Sequence, residues 1–189
     1  MKISRRSFLK TATAIGASLA WVGPARGSRV HWHERRDLYP QGVASGDPDP
    51  HSVILWTRRP FAEGAQGAQG TRQHLTVEVA EDQAFRRVIA HARAPVSSAA
   101  DWTARVLIGG LKPARTYWYR FTDTDGNGSR VGRTITAPLP NDLRTVNFAF
   151  VSCQSVNEGK LNAYRRMIFE DERARSSPRR LRPVPARAQ

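Results

Sequence analysis

The chain has 189 residues, with 30 Lys and Arg against 16 Asp and Glu and a single cysteine. One thiol excludes an internal disulfide, so the fold must hold by its core alone. The formal charge of +14 is concentrated at the ends: residues 1–27 and 175–189 each carry +5 without an acid, leaving +4 on residues 28–174, which argues against nucleic-acid binding by the body.

Ser4-Arg5-Arg6-Ser7-Phe8-Leu9-Lys10 reads as a twin-arginine export signal, with Arg5 and Arg6 as the pair read by the translocation machinery. The apolar stretch from Thr11 to Val22 is too short and too rich in Thr, Ala and Gly for a stable membrane anchor. It fits the hydrophobic region of a leader, and Ala25-Arg26-Gly27 supplies a small-residue cleavage pattern. Residues 1–27 are therefore expected to be a signal peptide, and the product periplasmic or secreted. The twin-arginine route usually carries cargo that has already folded, often around a cofactor.

From Tyr39 to Pro138 the chain reads as short strands separated by turns. Ser52-Val-Ile-Leu-Trp-Thr57 follows Asp47-Pro48-Asp49-Pro50, whose prolines bar helix. Leu75, Val77 and Val79 alternate with Thr76, Glu78 and Ala80, the pattern of a half-buried strand. Further strands are expected over Phe85–Ala92 and Trp102–Ile108. Leu111-Lys-Pro-Ala-Arg-Thr-Tyr117 matches the approach to a tyrosine corner, in which a strand-opening Tyr bonds the backbone a few residues upstream. Tyr117, Tyr119 and Phe121 then share one face of a strand. The turn Asp125-Gly-Asn-Gly128 leads to a partner strand over Arg130–Thr136. Six such strands without a long helix fit an immunoglobulin or fibronectin-III-like sandwich over residues 39–138, so the fold class is mainly β.

A second regime follows Pro138-Leu-Pro140. Val146-Asn-Phe-Ala-Phe-Val151 reads as a strand, and Lys160–Ala174 as a helix with Leu161, Tyr164, Met167 and Ile168 at helical spacing. Strand, loop and helix are how many open α/β domains begin. The unit, residues 146–174, stops there. Residues 175–189 have neither acid nor periodicity and are expected to be disordered. In an arginine-rich coding style, such an abrupt change is what an out-of-frame reading would produce.

In four places these residues resemble the alkaline phosphatase D, or PhoD-like, family. They are the twin-arginine leader; Gln41-Gly-Val-Ala-Ser-Gly-Asp-Pro48 leading into Val53-Ile-Leu-Trp-Thr-Arg58; the tyrosine-corner run; and Phe148-Ala-Phe-Val-Ser-Cys-Gln154 with Asn162-Ala-Tyr-Arg-Arg-Met167 and Phe169-Glu-Asp-Glu-Arg173. The resemblance covers residues 1 to 174. It implies a secreted, metal-dependent hydrolase of phosphomonoesters and phosphodiesters, with iron and calcium in the site and Cys153 as the first iron ligand. A thiolate at the end of a buried strand is a strong metal ligand.

The chain departs from that pattern after Cys153. A two-metal phosphatase needs several converging Asp, Asn and His ligands. Downstream of Cys153 lie only Asn157, Glu158, Asn162, Glu170, Asp171 and Glu172 as oxygen ligands, and no histidine. All five histidines, His31, His33, His51, His74 and His91, are upstream. His31 and His33 have chelating spacing, but in a segment expected to be mobile. The expectation is thus an N-terminal fragment of a PhoD-like phosphatase, inactive and without bound metal on its own, that meets phosphoester substrate only if a catalytic domain is supplied. The alternative is a stand-alone exported immunoglobulin-like binding module.

Overall fold

The computed structural model describes residues 17–61, 73–146, 148–152 and 161–176. It is mainly β. Ten strands occur among the described residues: β1 (Ala17–Trp21), β2 (His33–Glu34), β3 (Val43–Gly46), β4 (Ser52–Arg58), β5 (Gln73–Ala80), β6 (Val88–Val96), β7 (Thr103–Gly109), β8 (Thr116–Thr122), β9 (Asn127–Gly128) and β10 (Gly132–Ile135). The helix α1 spans Asn162–Ser176. The chain divides into two units between Asp142 and Leu143.

In the first unit, one sheet has the order β1-β7-β4-β3 and the other β2-β9-β8-β5-β6, with β10 also on β8. Alternation decides which side chains meet in the core. Val53 and Leu55 from β4, Val106 and Ile108 from β7, Leu75, Val77 and Val79 from β5, and Tyr117, Tyr119 and Phe121 from β8 form one buried cluster. The rings of Tyr119 and Phe121 form a T-shaped pair with their centroids 6.4 Å apart.

The tyrosine corner is present: the Lys112 amide donates to the Tyr117 hydroxyl at 2.9 Å. Thr136 latches the same turn, its hydroxyl donating to Lys112 O at 2.7 Å and accepting from the Arg115 amide at 3.0 Å. The Tyr117 ring is buried in the core. Tyr117→Phe should leave the Lys112 amide without that acceptor and lower stability by about 1–2 kcal/mol, read from the denaturant midpoint. An unchanged midpoint would show that the corner does not hold the turn.

The sequence-based boundaries differ from these elements in four places. The run expected from Phe85 begins only at Val88. The Asp82 carboxylate caps a turn there, accepting from the amides of Ala84, Arg86 and Arg87, and Phe85 sits at φ 55° within it. The returning strand after Asp125 is broken in two. Between β9 and β10 the Ser129 amide still donates to Phe121 O at 2.8 Å, but it is the Ser129 hydroxyl that accepts from the Phe121 amide, at 2.9 Å. Residues 146 and 148–151 form no strand, and Phe148 and Phe150 are each 84% exposed. A strand needs a neighbour for its backbone groups, and the described residues of the second unit supply none. Finally, both sheets draw on residues before Tyr39, through β1 and β2.

The helix does form near its expected place, as α1. Tyr164 and Ile168 lie exposed along it, as do Leu161 just before it and Phe169, and Arg166 pairs with Glu170 one turn on.

Candidate functional site

The sandwich places its polar chemistry on the outer face of the second sheet. Glu78 on β5 and Arg120 on β8 stand opposite each other in the ladder and point away from the core. Two strands alone would leave them in water. The segment leading from β1 to β2 covers them instead. It starts on the first sheet, where the Val22 amide donates to Gly109 O at 3.0 Å. It then reaches the second sheet: the Gly23 amide donates to Ile89 O at 2.8 Å, and Arg26 and Val88 exchange both backbone bonds at 2.9 and 2.7 Å. The Ser28 amide donates to Phe85 O, the Trp32 indole to Ser129 O, and the His33 and Arg35 amides to Gly126 O and Gly128 O.

Beneath this strap the Arg120 guanidinium donates to Glu78 through Nε at 3.0 Å and Nη2 at 2.8 Å. The Ser28 hydroxyl lies 2.8 and 2.9 Å from the two Glu78 oxygens and accepts from Arg120 Nη2 at 2.9 Å. Phe85 and Trp32 close over the guanidinium, their ring centroids 4.1 and 5.0 Å from Cζ. Side-chain exposure is 3% for Glu78 and 10% for Arg120. The cluster consumes its own donors and acceptors, so it suits holding the strap rather than moving a proton.

A second buried pair lies at the end of β8. Asp123 accepts from Arg59 Nε at 3.2 Å and Nη2 at 3.0 Å. Its carboxylate also takes the amides of Asp125 and Asn127 and the Asn127 side chain. Arg59 stacks over Phe61, 4.2 Å from the ring centroid. Burial and the negative charge of Asp123 push the nearby Tyr39 phenol well above its ordinary value.

Burial likewise raises Tyr117 and pushes Tyr119 up to about 12 from an ordinary 10.0. These phenols bind protons more tightly folded than unfolded. Their contribution to stability is complete below pH 10.0 and is lost as pH rises from there through about 12. The melting temperature should therefore fall over that window, and Tyr119→Phe should flatten the fall. A Tyr119→Phe profile identical to wild type would refute the assignment.

A cavity of about 590 Å³ runs under the strap between Trp21, Arg26, Glu78 and Val88. Another, of about 460 Å³, is lined by His31, His74, Arg93, Asp123 and Asp125 among others. His31 lines it, whereas His33 is an exposed residue of β2, which pairs with β9. The expected mobility of this segment is replaced by strand pairing. Among the described residues, no three His, Cys, Asp or Glu side chains come together in a way that could hold a metal ion. Glu170, Asp171 and Glu172 lie on α1. The described residues therefore do not fit an iron and calcium centre. Cys153, Asn157, Glu158 and the pair Arg5 and Arg6 lie outside the described residues. No helix among the described residues is long and apolar enough to cross a membrane.

The Gln41–Pro48 motif has a structural role in this unit. Gly42 turns at φ 67°, Thr57 donates to Gly42 O at 2.7 Å, and β3 pairs with β4. Sequence reasoning missed the Glu78–Arg120 and Arg59–Asp123 pairs. For the first pair the available signal was a charge of opposite sign within each of two apolar strands, whereas Arg59 and Asp123 lie just past the ends of β4 and β8 and carry no such signal.

Residues 25–138 match the family profile described as PhoD-like phosphatase, N-terminal domain. Alkaline phosphatase D of Bacillus subtilis (strain 168) is 37% identical over 132 residues, which is 68% of this chain and 22% of that protein. The solved structure of PhoD is similar with a TM-score of 0.59 at 35% identity, covering 68% of this chain and 25% of that one. A human fibronectin type III domain aligns with a TM-score of 0.42 at 11% identity, over 82% of this chain and 98% of that domain. The chain thus spans about a quarter or less of the length of the PhoD proteins it matches. The match over residues 25–138 and the 37% identity establish that the chain belongs to the PhoD-like phosphatase family, through that family's N-terminal domain.

Proposed function

We propose that these residues form the exported N-terminal portion of a PhoD-like alkaline phosphatase or phosphodiesterase, whose phosphoester hydrolysis needs further catalytic residues. The carrying observation is that the family match falls on the sandwich, residues 25–138, while its two buried ion pairs, Arg59–Asp123 and Glu78–Arg120, are each satisfied within the sandwich. Cys153 is proposed as an iron ligand by family resemblance, completed with calcium only when the remaining ligands are present. A single thiolate cannot order two metal ions for in-line attack. The twin-arginine machinery is the proposed export partner through Arg5 and Arg6, with the periplasm or the exterior as destination.

The purified chain, supplied with iron and calcium, should hydrolyse neither an aryl phosphomonoester nor a diester above a Cys153→Ala control. Cys153-dependent turnover would show that the chain assembles a complete site, alone or as an oligomer. For the origin of residues 175–189, the DNA after codon 174 is decisive. Aspartate and histidine motifs resuming in another frame support a frameshift, and an intact stop followed by spacer DNA favours the stand-alone module.

A further inference from the structure

We propose that the cavity lined by His31, His74 and Arg93 is a binding site for a tetrahedral oxyanion, free or as the head group of a small ester. Every residue lining it is Val30 or later, so removal of residues 1–27 would leave that lining intact. It also uses none of the residues proposed for catalysis.

Two strands, a turn and the strap build the site. On the outer face of the second sheet, His74 and Thr76 are alternate residues of β5, and Arg93 on β6 stands opposite Thr76 in the ladder. The strap brings His31 against the turn between β8 and β9. There Gly126 adopts φ 84°, and its backbone lies so close to the imidazole that a Cβ would come within 2.6 Å of Cδ2. The His33 amide donates to Gly126 O at 2.9 Å and ties the two segments together. His31 is thus seated by the backbone, which leaves its ring nitrogens without a partner among the described residues.

The acids around the cavity are already engaged. Asp123 uses Oδ1 on the amides of Asp125 and Asn127, and Oδ2 on Arg59 and the Asn127 side chain. Glu78, two residues from Thr76, is paired with Arg120. Asp125 is the one other lining carboxylate, and it is exposed, where water and salt screen it. Arg93, in contrast, has no carboxylate partner among the described residues. Neither does Arg29, next to Val30, nor His91, two positions before Arg93 on the same face of β6, so the surroundings lean positive.

Unused donors choose the ligand. The Arg93 guanidinium, the His31 and His74 imidazoles and the hydroxyls of Thr76 and Thr124 all line the cavity. A cation would meet Arg93 and two imidazoles, and no acidic cluster among the described residues could hold it. An oxyanion suits every one of these groups: the guanidinium fork gives two parallel N–H···O bonds, and the imidazoles and hydroxyls reach the remaining oxygens. Across the ladder from Thr76, the Thr122 hydroxyl is buried with no hydrogen-bond partner among the described residues. A buried hydroxyl that its own chain leaves unbonded marks a place where an outside polar group can bond. The cavity, about 460 Å³, is larger than a bare oxyanion needs, and Val30 gives it an apolar wall, so there is room for a small organic group on the anion.

The test is calorimetric titration of the full chain with inorganic phosphate and with methyl phosphate, at constant ionic strength set by sodium chloride. One phosphate should bind per chain. Arg93→Ala should weaken it about tenfold or more, and His74→Ala about threefold. Arg93 is exposed and His74 half-buried, so both variants should melt as wild type does. Arg93→Gln, which keeps the stem on the sheet, should weaken binding as Arg93→Ala does. Arg105→Ala removes the same charge from β7 in the other sheet and should leave binding unchanged. Cys153→Ala should also bind as wild type, which separates this site from the proposed iron ligand. Methyl phosphate binding more tightly than phosphate assigns the site to an esterified head group, and the reverse order assigns it to the free anion. No saturable binding of either below about 10 mM would overturn the proposal. So would wild-type affinity in Arg93→Ala, a loss in Arg105→Ala as large as in Arg93→Ala, or binding that disappears in Cys153→Ala.

Discussion

Arg120→Ala should destabilise the sandwich by about 3–5 kcal/mol, because it strands the Glu78 carboxylate under the strap without its cation. The Glu78 side chain is only 3% exposed, so it has little contact with water to offset the lost partner. The substitution also removes the group between Phe85 and Trp32, whose rings lie 4.1 and 5.0 Å from the guanidinium carbon. Ser28 loses a donor to its hydroxyl. The strap should therefore loosen from Ser28 to Trp32 before the rest of the domain unfolds. Denaturant midpoints give the magnitude, and amide exchange at Ser28 and His33 locates the loosening. Glu78→Leu combined with Arg120→Met should recover much of the loss, because removing both charges leaves neither uncompensated. A single Arg120→Ala costing under about 1 kcal/mol would show that water reaches Glu78 and that the pair behaves as a surface one.

How far the sequence discloses this fold follows from the range of the contacts involved. The tyrosine corner was legible because Tyr117 and Lys112 are five positions apart and the turn between them has its own residue signature. Alternation in β5 and β8 gave the core face, and Leu75, Val77, Val79, Tyr117, Tyr119 and Phe121 are all buried there. The same alternation is silent about the other face. It assigns Glu78 and Arg120 to the outside, and only a segment 50 to 92 positions away in sequence makes that outside an interior. Leader-like composition hid β1 in the same way. An apolar stretch of small residues reads as a hydrophobic export region whether or not it later joins an edge. At the other end, Val146–Val151 has strand composition but no neighbour among the described residues, and a strand is defined by pairing rather than by propensity.

The candidate site divides along the same line. Cys153 and the Arg5–Arg6 pair are expectations taken from short contiguous motifs, and they lie outside the described residues. The Asp123 hub was not legible, since its partner Arg59 lies 64 positions upstream. Residue type alone gives Asp123 a turn, and a turn is only half of what it builds.

Asp123→Ala should rank with Arg120→Ala, costing about 3–5 kcal/mol, because one carboxylate serves two structures. Its Oδ1 takes the amides of Asp125 and Asn127 at 3.0 and 2.9 Å, which shapes the turn into β9. Its Oδ2 takes Arg59, which fixes the guanidinium over Phe61. Removing the side chain leaves Arg59 a buried cation with 9% side-chain exposure. It also frees the turn that brings Gly126 and Gly128 to the His33 and Arg35 amides. The strap should then lose its far anchorage at β2 while its contacts at Ser28 persist. Amide exchange distinguishes the two variants: Asp123→Ala should expose His33 and Arg35 first, and Arg120→Ala should expose Ser28 first. Arg58→Ala is the internal contrast. Its partner Asp101 has a 71% exposed side chain, so the midpoint should hardly move. If Asp123→Ala leaves the midpoint as little changed as Arg58→Ala does, then Arg59 finds water in the folded state and the hub is not what anchors β2.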